Sequence, residues 1–355
     1  MLNFENTKLR RMVVHQVGNR SKMEGVKYSK TAHTIKDDYV RDLLMMYFTK
    51  PFDGQIMYQF RHDSGNLSLN EIYTYISDIF SDPDQLYDQS VNIANHLYEK
   101  SSHPKIKKGE LYIVEFAGTQ VDDEIVNAIG IFKSENKDKF LKVYQKDEDF
   151  EIDFEDGINI HKLDKGCIIF DTEKEGGYKV VTVDKLNPTG DAAFWKDEFL
   201  HLQPIPDDYY LTRNYMEIVK EFSKLHFTPE NAVEEAVIDK RGQIDFNSKA
   251  ARYFEEKENF EIDDFANEVI GVPEIIEDFK AFKEGFEEDY NVPELPVSFN
   301  VHEDAKKEIQ KKFRSVIKLD RNFHLYVHGG SELLEKGYDE KKKMNFYKLY
   351  FNEEN

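Results

Sequence analysis

At Gly109 the spacing of apolar residues in this chain changes from three and four to two. Before it, Asp37–Phe48, Leu69–Phe80 and Gln85–Glu99 place Val40, Leu43, Leu44, then Ile72, Tyr75, Ile76, then Leu86, Ile93, Leu97 at helical intervals. After it, Leu111–Phe116, Ile125–Phe132, Phe140–Tyr144, Phe150–Phe154, Cys167–Asp171 and Tyr178–Val183 read as strands. Gly118, Gly157 and Gly176–Gly177 punctuate them. Successive strands joined by tight turns pair antiparallel, and helices followed by a run of strands give an α+β fold and not βαβ repeats.

The flanks extend this pattern. Lys8–Val17 predicts an opening strand, Gly18–Asn19 a turn, and Gly25–Lys30 a second short strand. Residues 189–203 read as an irregular link carrying the only Trp, and Pro204 and Pro206 mark a boundary. Helices are expected over Tyr209–Phe227, Pro229–Lys240, Asn247–Glu256 and Pro273–Phe286, with Thr228 as an N-cap before Pro229. Pro293 and Pro296 end this acidic block. Beyond it, Glu303–Phe313 reads as one helix with Ala305, Ile309 and Phe313 on one face, followed by strands Ser315–Leu319, Phe323–His328 and Met344–Phe351. The expected division is an α+β domain over 1–204, an acidic helical region over 205–296, and a basic helix-plus-sheet unit over 297–355. Sixty residues alone make a marginal core, so the last unit is expected to pack on an earlier block.

Composition narrows the class. With 355 residues, 27 Phe and 20 Tyr the chain can fill more than one core. No apolar run approaches the ~18 residues of a membrane helix, and the N-terminus has no signal-peptide pattern. One cysteine, Cys167, excludes a disulfide framework and a cysteine-based zinc site. A cytoplasmic protein is expected. The net charge of −21 argues against a nonspecific polyanion binder taken whole. The distribution is uneven: residues 297–355 hold 12 Lys or Arg against 10 Asp or Glu, and residues 1–30 hold seven against two.

No phosphate loop, dinucleotide fingerprint, nucleophile elbow or zinc-protease motif is present. Cys167 lies in an apolar CIIF run and reads as a buried strand thiol. The acidic clusters at 122–124 and 147–156 could hold Mg²⁺ in a nuclease, but a chain this acidic makes such clusters by composition. Glu115 stands alone on a strand face with Leu111 and Ile113, and reads as a rim or network residue. His324 and His328 on one strand would lie about 13 Å apart, too far for one ion. No catalytic residue, metal ligand or cofactor is expected. The interaction signal is cationic. Lys306, Lys307, Lys311 and Lys312 come from the expected helix, Arg314, Lys318, His324 and Lys348 from the strands, and Arg10 and Arg11 from the N-terminal strand. With Tyr326 and Tyr350 interleaved, they have the chemistry a phosphate backbone needs. Lys307, Lys311 and Arg314 would share a helix face.

Four colinear segments resemble a known family: VVHQVGN at 13–19, GELYIVEFAGTQVDDEIVNAIGIFKSE at 109–135, YYLTRNYMEIVKEF at 209–222 and FRSVIKLDRNFHLYVHGG at 313–330. They are similar to the bacterial nucleoid-associated proteins of the NdpA type, in a Bacteroidetes-type branch divergent from the proteobacterial one. The resemblance implies a nucleoid-located, DNA-associated protein without catalysis, contacting double-stranded DNA and contributing to chromosome organisation. It supplies no catalytic residues. A homodimer is left open. Two alternatives stand beside it: an acidic protein-binding or DNA-mimic regulator of a DNA-processing protein, and a metal-dependent nuclease or phage-defence component.

Overall fold

Two runs of apolar residues, LYIVEF and CIIF, carry side chains of the same character on both strand faces, and both faces are covered. The computed structural model describes residues 2–52, 56–147, 149–185, 194–227, 240–290, 292–327 and 329–353. It divides into two compact units, Met1–Ile205 and Pro206–Asn355.

The first unit holds β1 (Leu2–Asn3), β2 (Lys8–Val17), β3 (Val26–Lys27), α1 (Asp38–Thr49), β4 (Tyr58–Phe60), α2 (Glu71–Ser81) and α3 (Leu86–Lys100). It continues with β5 (Gly109–Val121), β6 (Glu124–Ser134), β7 (Asp138–Lys146), β8 (Asp149–Gly157), β9 (Lys165–Phe170), β10 (Lys179–Asp184) and β11 (Leu202–Pro204). Its main sheet runs β11-β4-β10-β9-β6-β5-β2-β3, with β1 also on β5, and every pairing is antiparallel. Strand alternation sends Val13, Ile113, Ile131 and Ile169 to one face, against Ile72 and Ile76 of α2 and Ile93 and Leu97 of α3. It sends Met12, Val114, Phe132 and Ile168 to the other, against Tyr47 and Phe48 of α1. The α+β reading and the antiparallel sheet agree with this architecture.

Helix starts follow capping chemistry. Asp37 accepts from Val40 N–H at α1, and Asn70 from Tyr73 N–H at α2. The side chain of Asn70 also donates to the carbonyls of Arg61 and Leu200, tying that cap to the sheet edge. The stretch expected to be an irregular link instead contains a π-helix over Phe194–Leu200 and then β11. Phe194, Trp195, Phe199 and Leu200 are all buried, so burying four large side chains orders a segment without helical or strand periodicity.

The second unit holds α4 (Asp208–His226), α5 (Lys240–Glu256), β12 (Asn259–Glu261), α6 (Ile262–Phe265), α7 (Pro273–Asp289) and β13 (Ser298–Asn300). After these come α8 (Glu303–Lys306), α9 (Ile309–Lys312), β14 (Ser315–Leu319), β15 (Phe323–Val327), β16 (Leu334–Asp339) and β17 (Met344–Leu349). Its core is aromatic: Phe260 stacks near Tyr215, Phe254 and Phe299 at ring distances of 4.4, 5.6 and 5.0 Å. The C-terminal hairpins β14–β15 and β16–β17 pack on Ile244 of α5 through Ile317 and Leu334. The helix expected over 229–240 lies outside the described residues, apart from Lys240, which opens α5.

The single helix expected over Glu303–Phe313 is corrected. Two four-residue helices replace it, because the chain tightens at Glu308, whose N–H bonds to Ala305 carbonyl three residues back. Ala305, Ile309 and Phe313 are still buried, so the apolar stripe is met without a continuous helix. Lys307, Lys311 and Arg314 therefore do not line one helix face; Arg314 lies past the end of α9.

Gly177 illustrates how closely the sheet edge is packed. Its φ is +102°, and a Cβ there would sit 2.4 Å from the Phe60 carbonyl oxygen. Gly177→Ala is expected to destabilise the first unit by about 2–3 kcal/mol, read as a lower urea midpoint with unchanged slope. A midpoint within error of wild type would contradict the close approach.

Candidate nucleic-acid interface

Burial sorts the basic residues before any partner is considered. Arg10 and Arg11 sit at a β-bulge, where the register to β5 shifts between Leu9 and Arg11. The bulge lets two consecutive arginines reach one carboxylate. Glu115 lies directly across from Arg11, is 7% exposed, and accepts from Arg11 Nε at 2.6 Å and from Arg10 at 3.4 Å. Arg11 also donates to the Pro83 carbonyl and lies 3.5 Å from Asp84, tying β2 to the turn between α2 and α3. Glu115, with its hydrogen bond and its charge, raises Arg11 above its ordinary value. Glu115 is thus the network residue that strand alternation predicts.

In the second unit four of the six candidate lysines are also met from within the chain. Lys306 pairs with Glu303 at 2.7 Å, Lys307 with Asp304 at 2.6 Å, and Lys312 with Glu217 of α4 at 2.5 Å. Lys348 lies 3.3 Å from Glu335 across the β16–β17 pair and 4.8 Å over the Tyr350 ring. Among the described residues, Lys311, Arg314, Lys318 and His324 have no carboxylate within ion-pair distance. Three of these four are brought together by register. Lys318 stands opposite His324, and Val316 opposite Tyr326, on the outer face of the β14–β15 hairpin. Arg314 lies 4.0 Å over the Tyr326 ring, which holds the guanidinium flat without neutralising it. Ser315, Ile317 and Leu325 take the inner face, as alternation requires.

A groove of about 580 Å³ runs between the two hairpins, lined by His324, Tyr326, Leu333, Leu349 and Tyr350 among others. Gly337 on β16 allows that pair to close: its missing Cβ leaves room for the Phe346 ring, which would otherwise lie 2.4 Å away. A smaller pocket of about 280 Å³ is lined by Arg252 of α5 and Arg314, with Glu255, Glu256 and Glu332 also on its wall. His328 lies outside the described residues.

The sequence reading overlooked the hairpin tips. Arg321 sits in the β14–β15 turn. Lys341, Lys342 and Lys343 sit in the β16–β17 turn, where Asp339 accepts from the backbone N–H of Lys341 and Lys342 and Lys343 adopts a φ of 53°. The run EKKK at 340–343 was the available signal. Without β16, which has Gly and charges in place of alternating apolar residues, that run has no hairpin to stand on.

Chemistry-bearing groups elsewhere are occupied. Among the described residues no group of three or more His, Cys, Asp or Glu is placed to hold a metal ion. Cys167 is fully buried, and burial pushes its thiol well above the usual range. His15 Nε2 lies 2.9 Å from Ser90 Oγ, the spacing of a nucleophile and its base. However, Nδ1 accepts the backbone N–H of Ser29, so Nε2 carries the proton and donates to the serine, whose hydroxyl donates to Tyr87 carbonyl. The pair is a structural tie between β2 and α3. Burial pushes His15 down to about 4, below the unfolded value near 6.5. As pH falls below 6.5 the unfolded chain takes a proton that the folded one refuses. Stability complete above 6.5 is therefore lost progressively down to about 4. The loss is on the order of 3 kcal/mol. Replacing His15 by Gln should flatten the acid limb of stability against pH, measured by urea denaturation; parallel profiles would contradict this assignment.

The family described as nucleoid-associated protein YejK matches residues 13–344 of this chain. No curated protein matches it.

Proposed function

The chain belongs to that family of nucleoid-associated proteins, and from this premise we propose that it binds double-stranded DNA through the outer face and tips of its C-terminal hairpins. The observation that carries the reading is the gathering of Arg314, Lys318 and His324 on one hairpin face, without carboxylate partners among the described residues and with Tyr326 beneath Arg314. Residues 314–350 hold eight Lys or Arg against five Asp or Glu, in a chain of net −21. Arg321 and Lys341–Lys343 extend the cationic surface to the tips. Phosphate contacts of this kind supply affinity and position without reading sequence. Lys306, Lys307, Lys312 and Lys348 are secondary, because each already faces a carboxylate. Arg10 and Arg11 serve the fold through Glu115. The four colinear segments support an NdpA-like, Bacteroidetes-type member acting at the nucleoid in the cytoplasm.

A second reading rests on α7, which exposes Glu274, Glu277, Glu284 and Glu288 along one helix. A row of carboxylates on a rigid helix suits the basic groove of a DNA-processing protein, as a DNA mimic would.

Fluorescence anisotropy on a labelled duplex, titrated over a range of KCl, separates the two. Arg314→Ala, Lys318→Ala and Arg321→Ala together should flatten the slope of log affinity against log salt by roughly two to three units. Lys307→Ala with Lys312→Ala should leave the slope unchanged. Equal slopes for wild type and the triple variant would overturn the assignment. A wild type that ignores DNA but binds a basic protein would favour the second reading.

A further inference from the structure

The β7–β8 hairpin is a sheet of its own: among the described residues neither strand pairs with any other. Nine residues per strand at ~3.3 Å each make an arm roughly 30 Å long. Its two faces differ. Phe140, Lys142, Tyr144 and Lys146 stand opposite Glu155, Asp153, Glu151 and Asp149. On that face Lys142 pairs with Glu155 and Lys146 with Glu151. Leu141, Val143 and Gln145 stand opposite Phe154, Ile152 and Phe150 on the other face. There Leu141 is 81% exposed, Ile152 70% and Phe150 69%.

A two-stranded ribbon with one bare apolar face is marginal in water, and contiguous exposed apolar surface of this kind marks an interface. We propose that the arm is the self-association element of this protein, its apolar face covered by the same face of a second copy.

Three observations select a second copy as the occupant. The five side chains of the stripe expose on the order of 600 Å² per arm. Two arms face to face then bury roughly 1,200 Å², the lower bound of a stable specific interface. The stripe ends at its base in one lysine and one aspartate, Lys139 and Asp156, 2.9 Å apart and opposite each other. A two-fold axis parallel to the strands lays β7 over the second copy's β8, so each Lys139 meets the other Asp156 in a closed ring of four charges. The third observation excludes DNA as the occupant: residues 138–157 hold three lysines against eight Asp or Glu, which a phosphate backbone repels. The base of the arm is fixed, since Asp138 accepts from Asn159 at 2.8 Å and from Lys162 at 3.0 Å.

Sedimentation velocity of the full chain over a dilution series in the micromolar range tests this. Wild type is expected at twice the chain mass. Leu141→Asp with Ile152→Asp is expected at the chain mass, with an unchanged circular-dichroism spectrum. Ile152→Thr, which keeps the branched strand side chain, should raise the dimer dissociation constant at least tenfold and guards against misfolding of the double variant. Lys142→Ala with Glu155→Ala, on the opposite face, should leave the dimer intact. A wild type monomeric at every concentration overturns the proposal, as does a double variant that stays dimeric. A monomeric wild type whose duplex affinity falls in the double variant would assign the arm to DNA and overturn it equally.

Discussion

The first unit depends on burying β5, β6 and β9 on both faces. Once α2 and α3 cover one side and α1 the other, no position in the middle of these strands can hold an unpaired polar group without a penalty of several kcal/mol. A charge on these strands must therefore be closed by a partner wherever it stands. Lys133 and Lys165, adjacent across β6 and β9, are both buried. Glu135 lies 3.1 Å from Lys133, and Asp184 lies 2.7 Å from Lys165. Burial pushes Lys133 below its ordinary value, with Glu135 opposing the shift. Asp164 accepts from the backbone N–H of Glu135 and Asn136, completing the knot. In the middle of β5, Glu115 is closed by Arg10 and Arg11 in the same manner.

Electrostatics in this chain consists largely of internal accounts settled by neighbours, and that decides which cations remain for an anion outside. A net charge of −21 puts a carboxylate within reach of many lysines, so abundance of basic residues carries little information. Position carries more. Neither β14 nor β15 contains an Asp or Glu, so Lys318 has no carboxylate opposite it in the register. The aromatic ring under Arg314 orients the guanidinium while leaving its charge whole, which an aspartate in that place would cancel.

How much of this was legible in the sequence varied with the length scale of the physics. Strands β5 to β10 were legible because short apolar or alternating runs bounded by turn residues are a local property. So were β14 and β15, whose observed ranges Ser315–Leu319 and Phe323–Val327 match the strands expected there. Strands β4 and β11, three residues each, are too short for any period, and β16 carries Gly and charges where apolar residues would mark it. The stripe Ala305, Ile309, Phe313 suited one helix and also suits two short ones, because burial constrains the side chains and not the hydrogen bonds between them. The candidate site was legible in composition only. The carboxylate that meets Arg11 lies 104 residues away in sequence, and no local rule connects them.

The solitary thiol has a practical meaning. Cys167 lies on the sheet face covered by α2 and α3, fully enclosed and held protonated, so alkylating reagents will pass it by in the folded state. The natural chain therefore already behaves, toward such reagents, as a cysteine-free background. A single cysteine placed at a hairpin tip or along the β7–β8 arm would accept a fluorophore or spin label at that one position. Distances within and between molecules then become measurable without first removing a native residue from the core.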